Sequence, residues 1–194
     1  MNKIFGIFLF FIIIIITLVF FVAPDCKNSK SCKMFAGIFG IKFAGEPMQI
    51  NNFDECAAAG NPVMESYPRQ CNTPDGKHFV ENIGNELEVG DLIKIDNPRP
   101  NAKITSPLTV TGQARGNWFF EASFPVKLMD ETGDELARGI AQAQGEWMTE
   151  DFVPFTAKLE FWGPAGSTGT LILERDNPSG LPENDSQLVV PVKF

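Results

Sequence analysis

The fold is decided by the stretch Val110-Thr111-Gly112-Gln113-Ala114-Arg115-Gly116-Asn117-Trp118-Phe119-Phe120-Glu121-Ala122-Ser123-Phe124-Pro125-Val126. It predicts one β-strand, a corner that contains Gly116 and three consecutive aromatic residues, and then a second β-strand. The residues that alternate onto one face of the second strand are Phe120, Ala122, Phe124, Val126 and Leu128. A strand with one buried face needs this alternation, because successive side chains leave opposite faces of the sheet.

The rest of the C-terminal region continues as short strands separated by turn residues. We predict strands near residues 103–105, 108–114, 120–129, 135–143, 153–161, 170–175 and 187–194. Seven short strands without a helical period predict an all-β sandwich of two sheets. Three prolines lie inside these strands, and we expect them at edges, at bulges or where a missing N–H would face solvent: Pro125, Pro154 and Pro191.

The N-terminal segment has the character of a membrane anchor. Residues 4–22 carry no charge and, as a helix, would extend about 28 Å, close to the thickness of the hydrocarbon core of a bilayer. A cleaved signal peptide is the alternative, but its apolar core is usually shorter and ends at small residues. We therefore expect an uncleaved signal anchor over residues 1–24 and a juxtamembrane segment over residues 25–50, with the membrane contacted through residues 4–22.

Two features of the sequence give conflicting predictions for the orientation of this anchor in the membrane. Basic residues just after the apolar run (Lys27, Lys30 and Lys33) would favour a cytoplasmic C-terminal side. An N-terminal single span is usually an export signal, and the cysteines that follow are best suited to a compartment where thiols oxidise. We expect the C-terminal domain of a bacterial cell-membrane protein to be extracytoplasmic.

Four cysteines, Cys26, Cys32, Cys56 and Cys71, are candidates for disulfides. Residues 51–97 predict a small module with a short helix and a hairpin, which is too small for a proper core and needs a staple. A Cys56–Cys71 bond would stabilise it by about 3 kcal/mol in the chain-entropy model, and Cys26–Cys32 could form the other pair. Four cysteines allow three pairings, and the sequence does not choose among them. Their wide spacing disfavours zinc.

A linker rich in proline and asparagine, Asp96-Asn97-Pro98-Arg99-Pro100-Asn101, follows the module. Such a cluster of prolines and asparagines is typical of a boundary between domains. We place the boundary at residue 98, so that the sandwich domain covers residues 98–194.

A family resemblance rests on several short motifs spread over the sandwich domain. The motifs are Ile104-Thr105-Ser106-Pro107, Val110-x-Gly112-x-Ala114-Arg115-Gly116-x-Trp118-Phe119-Phe120-Glu121, Gly145-x-Trp147, Phe152, Gly169-x-Leu171 and Asp176-Asn177-Pro178-Ser179-Gly180. Over about residues 100–194 the chain resembles the immunoglobulin-like domain of bacterial spore germination, the second type of Gmad domain. The resemblance implies an immunoglobulin-like sandwich in a bacterial envelope protein, with no established enzymatic activity or defined ligand.

Composition excludes some function classes. A net charge of −8 argues against nucleic-acid binding, which requires a basic face. A single histidine and the lack of a glycine-rich phosphate loop before a helix give catalysis no clear basis. The acidic turn around Asp130 and Asp134 is read as a solvated hairpin and not as a calcium site. We expect no enzyme activity, no cofactor and no metal.

Six residues are candidates for ligand contact: Arg115, Trp118, Phe119, Glu121, Trp147 and Asn177. The competing interpretation is structural, because aromatic residues on alternating strands usually belong to the core. In that case Arg115 would pair with Glu121 across the corner. If the corner does contact a ligand, Trp118 or Phe119 is the aromatic residue expected to be exposed.

The expected function is that of a membrane-anchored envelope protein whose immunoglobulin-like domain is a non-catalytic binding module. Peptidoglycan or another envelope protein would be its partner. Two alternatives remain open. The chain could be a spacer in a surface assembly, or residues 63–69 of the cysteine module could inhibit a protease.

Overall fold

The structure is a computed structural model that describes residues 49–194 of the 194-residue chain. Residues 50–194 form one compact unit. The expected anchor over residues 4–22 and the candidate pair Cys26 and Cys32 lie outside the described residues. Within residues 49–194, no helix is both long enough and apolar enough to cross a bilayer.

The first elements belong to the cysteine module: helix α1 (Phe53–Ala58) and strands β1 (Val63–Met64), β2 (Gln70–Asn72) and β3 (His78–Val80). The three strands form a small antiparallel sheet in the order β1-β2-β3. Helix α1 begins after Asn52, whose Oδ1 accepts a hydrogen bond from the Glu55 N–H at 2.8 Å. This N-cap satisfies one of the unpaired donors at the helix start.

The expected disulfide between Cys56 and Cys71 is confirmed. It joins helix α1 to strand β2, and both cysteines are completely buried beside Phe53. This small cluster is separate from the main core of the domain. The module therefore has the staple that its size requires.

Seven strands form the second sheet: β4 (Ile93–Asn97), β5 (Leu108–Arg115), β6 (Ser123–Asp130), β7 (Glu135–Ala143), β8 (Phe152–Leu159), β9 (Thr168–Glu174) and β10 (Gln187–Lys193). Their order is β10-β9-β6-β7-β8-β5-β4, and every pairing is antiparallel. The predicted all-β architecture is thus confirmed. The sheet starts before the boundary expected at residue 98, because β4 pairs with β5.

The sheet curls into an arrangement between a sandwich and a barrel. Strands β7 and β8 share only two residue pairs, Gln142 with Thr156 and Ala143 with Phe155. This short pairing separates a layer of β4, β5 and β8 from a layer of β6, β7, β9 and β10. On the other side Lys103 forms a parallel bridge with Lys193, so the region expected as a strand over residues 103–105 contributes one bridge.

The core lies between these layers and is built from the alternating residues of each strand. On β6 the buried residues are Phe124, Val126 and Leu128, as the alternation predicts. The rings of Phe124 and Phe155 meet edge to face across the core, with their centroids 4.9 Å apart. Full burial of each such side chain is worth about 1.5–3 kcal/mol.

Phe120 corrects the predicted alternation. It is 42 % exposed, because β6 begins at Ser123 and not at Phe120. Glu121 and Ala122 form a two-residue turn with φ of 50° and 61°, and Phe120 and Ser123 exchange backbone hydrogen bonds of 3.0 Å across it. The turn resets the period of two, so that Phe124 faces inward while Phe120 does not.

The strand prolines lie where the sequence predicts. Pro191 is on the edge strand β10. Pro125 precedes Val126, the first residue of β6 that pairs with β9, and Pro154 lies outside the short pairing of β7 with β8. None of the three therefore has to donate to a second neighbouring strand, which is the condition for proline in a sheet.

Candidate binding surface

Three loops lie at one end of the domain, and we call them together the loop end. They are residues 116–122 between β5 and β6, residues 144–151 between β7 and β8, and residues 175–186 between β9 and β10. The Asp176 N–H donates to the Trp118 carbonyl at 3.1 Å, which joins the first loop to the third. A Cβ atom on Gly116 would lie 2.0 Å from the Thr149 carbonyl oxygen. Gly116 is therefore required for the first and second loops to pack together.

All six candidate residues for ligand contact belong to this end or border it. Arg115 is the last residue of β5, Trp118, Phe119 and Glu121 are in the first loop, Trp147 is in the second, and Asn177 is in the third. In the sequence these residues belong to separate motifs. Antiparallel strands bring them together because every second connection of such a sheet returns to the same end.

Arg115 serves the structure of the loop end. Its Nε donates to the Asp91 carbonyl at 2.9 Å, and its Nη1 donates to the Glu150 carbonyl at 2.8 Å. The guanidinium also lies 4.4 Å from the ring centroid of Phe152. The expected ion pair with Glu121 is not among the ion pairs of residues 49–194. Arg115 instead joins the second loop to the turn that precedes β4.

Trp118 and Phe119 belong to the core. They are 0 % and 4 % exposed, and their ring centroids lie 6.4 Å and 5.2 Å from that of Phe124. The prediction that one of them is the exposed aromatic residue of the corner is wrong. Phe120 has that position, because the turn at Glu121 and Ala122 directs the chain outward before β6 begins.

The turn at Glu121 brings its carboxylate near that of Asp176 in the third loop. The pKa of Asp176 is raised above its ordinary value, chiefly because the carboxyl is partly buried and also because Glu121 is a like charge nearby. A hydrogen bond from a backbone N–H opposes this shift without cancelling it. The loop end therefore holds two carboxylates that repel each other.

The remaining loop residues combine exposed apolar side chains with fixed polar ones. Met148 is 74 % exposed and Leu181 is 50 % exposed, whereas Trp147 is partly buried against the core. Asn177 Nδ2 donates to the Leu181 carbonyl at 2.8 Å and to Asp185 Oδ1 at 2.7 Å. Asn177 thus shapes the third loop, which is the role expected of asparagine in a turn.

A shallow depression of about 500 Å³ lies beside the third loop. It is lined by Glu174, Arg175, Asp185, Ser186 and Gln187. Arg175 Nε donates to the Asn117 carbonyl at 2.9 Å, so this side chain also ties the third loop to the first. The depression is polar and open, and it adds further acidic groups to the loop end.

A hydrogen-bonded cluster of side chains lies elsewhere, in the cysteine module and where the module meets the seven-stranded sheet. Arg69 forms a two-point contact with Glu81, with Nε–Oε2 and Nη2–Oε1 distances of 2.8 and 2.6 Å, and Asn101 Nδ2 donates to the same carboxylate at 3.2 Å. The hydrogen bond from Arg69 lowers the pKa of Glu81, which is only 8 % exposed. This contact is structural, since the Arg69–Glu81 pair joins the start of β2 to the end of β3, and Asn101 joins both to the connection between β4 and β5.

A second network in the same region involves Tyr67, Glu86 and Arg99. The Tyr67 hydroxyl donates to Glu86 and accepts from Arg99 Nη2 at 2.7 Å, while Arg99 Nη1 donates to Glu86 at 2.7 Å. Burial of the hydroxyl and the hydrogen bond to Glu86 raise the pKa of Tyr67 to about 12. Although the Tyr67 ring is half exposed, its polar end is held in this network.

These networks bear on the proposed inhibitory loop at residues 63–69. In that loop Tyr67 is bonded through its hydroxyl, and Arg69 is paired with Glu81 and lies 5.2 Å from the ring centroid of Phe53. The polar ends of Tyr67 and Arg69 are thus engaged within the chain, whereas residues 63–66 of the loop are exposed. This arrangement gives Tyr67 and Arg69 a part in docking the module, and inhibition by the exposed part of the loop stays a prediction.

The acidic turn between β6 and β7 is self-contained. Asp130 Oδ1 accepts hydrogen bonds from the N–H groups of Thr132 and Asp134 and from the Thr132 hydroxyl, at 2.7–2.9 Å. The hydrogen bond from the Thr132 side chain is the largest cause that lowers the pKa of Asp130. Within residues 49–194, no group of three or more histidine, cysteine, aspartate or glutamate side chains could hold a metal ion.

One comparison with known proteins finds a family for the part of the chain that contains strands β4 to β9. Residues 92–180 match the family model described as the immunoglobulin-like domain of bacterial spore germination. The match runs from the residue before β4 through β9 and into the third loop. No curated protein and no solved structure matches the chain.

Proposed function

Residues 92–180 belong to the immunoglobulin-like domains of bacterial spore germination, and from this premise we propose that the chain is a membrane-anchored bacterial envelope protein with a non-catalytic binding module. The module binds through the loop end. Its partner is a cell-wall polymer or another envelope protein. The cysteine module fixes the entry into the sheet.

The observation that carries this proposal is which aromatic and apolar residues of the loops are buried and which are exposed. Trp118 and Phe119 fill the core, while Phe120, Met148 and Leu181 expose apolar surface on three different loops of the same end. Exposed apolar side chains that gather at one end of a domain mark interaction sites more often than scattered ones do. Loops carried by a rigid sheet are a common place for such sites.

An extracytoplasmic location is supported by the cysteine module. A buried disulfide that staples a small module is typical of chains that fold in an oxidising compartment. The apolar run over residues 4–22 would then hold the domain at the membrane surface. A fractionation experiment with an alkaline wash tests this, because a spanning helix retains the chain in the membrane pellet.

A non-catalytic role is supported by the use of the titratable groups. Tyr67 and Glu81, whose pKa values are shifted, form hydrogen bonds that join parts of the fold. Asp130 closes a hairpin turn. Shifted groups at active sites usually line a cleft, whereas these three are explained by structural contacts.

Binding is tested by photo-crosslinking in the native envelope. A photoreactive amino acid replaces Phe120 in the full-length chain, and a matched chain carries it at Trp162, which is 81 % exposed in the connection between β8 and β9 at the opposite end of the strands. We expect a discrete crosslinked product from position 120 and little product from position 162. In parallel, the full-length chain is sedimented with purified peptidoglycan.

The results separate the alternatives. A product between position 120 and one envelope component, or retention on peptidoglycan that Phe120→Ala abolishes, supports a binding module. Crosslinks only between copies of this chain would favour a spacer. Equal labelling from positions 120 and 162, with no retention on peptidoglycan, would contradict the proposal.

A further inference from the structure

The three loops of the loop end carry an unusual balance of charge. There is one acidic residue in the first loop (Glu121), three in the second (Glu146, Glu150 and Asp151) and three in the third (Asp176, Glu183 and Asp185), against one basic residue in all three loops, Arg175. The whole chain has a net charge of −8, so a large share of its acidity is concentrated at this end. Such a surface attracts cations and repels polyanions.

The basic side chains at this end are already committed to the protein. Arg175 donates through Nε to the Asn117 carbonyl, and Arg115 at the end of β5 donates to the carbonyls of Asp91 and Glu150. Each guanidinium thus donates to backbone carbonyls, and neither one forms an ion pair with a carboxylate of the loops. Glu121 and Asp176 therefore lie near each other without a basic partner among the ion pairs of the described residues.

Each loop carries an exposed apolar residue within two residues of an acidic one. The exposed ring of Phe120 is next to Glu121, and exposed Met148 lies between Glu146 and Glu150 in the second loop. Leu181 lies two residues before Glu183 in the third. At the turn of Glu121 and Ala122, both Phe120 and Glu121 are exposed. A complementary partner must therefore bring both positive charge and apolar side chains.

From this arrangement we infer that the loop end binds a cationic segment of a protein, in which lysine or arginine residues are interspersed with apolar residues. This inference rests on the proposed function and narrows its partner. The basic side chains pair with the loop carboxylates, which governs the rate and specificity of association, while the apolar side chains cover Phe120, Met148 and Leu181. An anionic wall polymer lacks both features and is repelled by the same carboxylates.

The partner's positive charge would also offset the repulsion between the carboxylates of Asp176 and Glu121. Its partly buried carboxylate lies beside another carboxylate, and both burial and Glu121 raise its pKa. A lysine or arginine side chain placed between Glu121 and Asp176 would relieve this repulsion. Binding would therefore be strongest where both carboxylates are ionised.

The test uses the full-length chain in a non-ionic detergent and a fluorescent twelve-residue peptide of lysine, glycine and leucine, with fluorescence anisotropy as the readout. A peptide with glutamate in place of lysine is the control of opposite charge, and protein-free micelles give the background. We expect binding of the lysine peptide alone, weakened about tenfold or more when salt rises from about 0.05 M to about 0.5 M. Glu121→Gln and Asp176→Asn each weaken it about threefold, and Phe120→Ala about tenfold.

Matched variants at the opposite end of the domain distinguish binding at the loop end from nonspecific attraction to an acidic protein. Glu131 lies in the exposed turn between β6 and β7, and Trp162 lies in the connection after β8. Glu131→Gln and Trp162→Ala remove one carboxylate and one exposed aromatic ring, and we expect both to bind the lysine peptide as the unmodified chain does. If they weaken binding as much as Glu121→Gln and Phe120→Ala, the inference is overturned.

Peptidoglycan sedimentation with the same variants distinguishes this inference from the proposed function. Binding of the lysine peptide through Glu121, Asp176 and Phe120 supports the inference. Retention on peptidoglycan that depends on Phe120, without binding of the lysine peptide, leaves the proposed function standing and refutes the inference. Binding of neither probe, together with equal crosslinking from positions 120 and 162, refutes both.

Discussion

Asn85 and Val189 are joined by reciprocal hydrogen bonds. The Asn85 side-chain oxygen accepts from the Val189 N–H at 2.7 Å, and the Asn85 N–H donates to the Val189 carbonyl at 3.3 Å. Asn85 Nδ2 also donates to the Gln187 carbonyl at 2.9 Å. One residue therefore imitates a short neighbouring strand and covers the first half of the outer edge of β10, while residues 101–104 bond to the edge from Pro191 to Lys193. Without Asn85 this first half would be open to pairing with another chain.

This relationship predicts that Asn85→Ala destabilises the domain and promotes self-association. It removes two side-chain hydrogen bonds and leaves the Val189 N–H without its partner, at a cost of about 2 kcal/mol. We expect a lower midpoint of chemical unfolding and a concentration-dependent increase in size by analytical ultracentrifugation of the full-length chain. Asn85→Asp separates the two bonds, because it keeps the acceptor for Val189 but sets a carboxylate oxygen against the Gln187 carbonyl in place of the donor. A variant with alanine that remains as stable and as dispersed as the unmodified chain would show that other residues protect the edge.

Tyr67 offers a direct test of the docking of the cysteine module. It is the only tyrosine in the chain, so phenolate absorbance reports this residue alone. Its pKa is raised from 10.0 to about 12 by burial of the hydroxyl and by its hydrogen bond to Glu86. We expect the phenolate absorbance of the folded chain to appear about two pH units later than that of the chain in denaturant.

The sign of the linked stability follows from the same shift. Because the pKa of Tyr67 is higher in the folded state, its contribution to stability is complete below pH 10 and is lost as the pH rises towards 12. Glu86→Gln removes the charge that disfavours the phenolate, and the folded chain should then titrate closer to pH 10. Equal titration curves in the folded and denatured chains would mean that Tyr67 does not form this network in solution.

Alternation along the strands was sufficient to predict most of the sheet. Strand β7 has the predicted bounds, and β5, β6, β8, β9 and β10 differ from the predicted bounds by one to three residues. The position of Phe120 could not be predicted, because Glu121-Ala122 lacks the asparagine and glycine that mark a turn with positive φ. The role of Arg115 was also hidden, since its partners are backbone carbonyls of Asp91 and Glu150 that only the folded chain brings near.

The backbone of Ala122 leads to a prediction about stability. Its φ of 61° lies in the left-handed region, which costs a residue with a Cβ atom about 1 kcal/mol relative to glycine. We expect Ala122→Gly to raise the free energy of unfolding by about that amount, measured by chemical denaturation. Ala165→Gly is the matched control, since Ala165 is an exposed loop residue outside the set with positive φ, and glycine there should be neutral or slightly destabilising. Destabilisation by Ala122→Gly would contradict the turn.

Asp176 connects the stability of the loop end to pH. Its pKa is raised by partial burial and by Glu121, so the folded state is favoured while the carboxyl is protonated and is weakened as the pH rises through that pKa. Asp176→Asn removes the ionisation. We therefore expect this variant to be more stable than the unmodified chain at pH 7, with the difference in stability shrinking as the pH falls towards the ordinary range of aspartate. Denaturant midpoints between about pH 4 and pH 8 measure this difference.

Asp151→Asn, at an exposed position in the second loop, should stay within about 0.5 kcal/mol of the unmodified chain. If Asp176→Asn is instead destabilising at pH 7, the carboxylate must have a stabilising partner, and the repulsion between Glu121 and Asp176 would not describe the loop end.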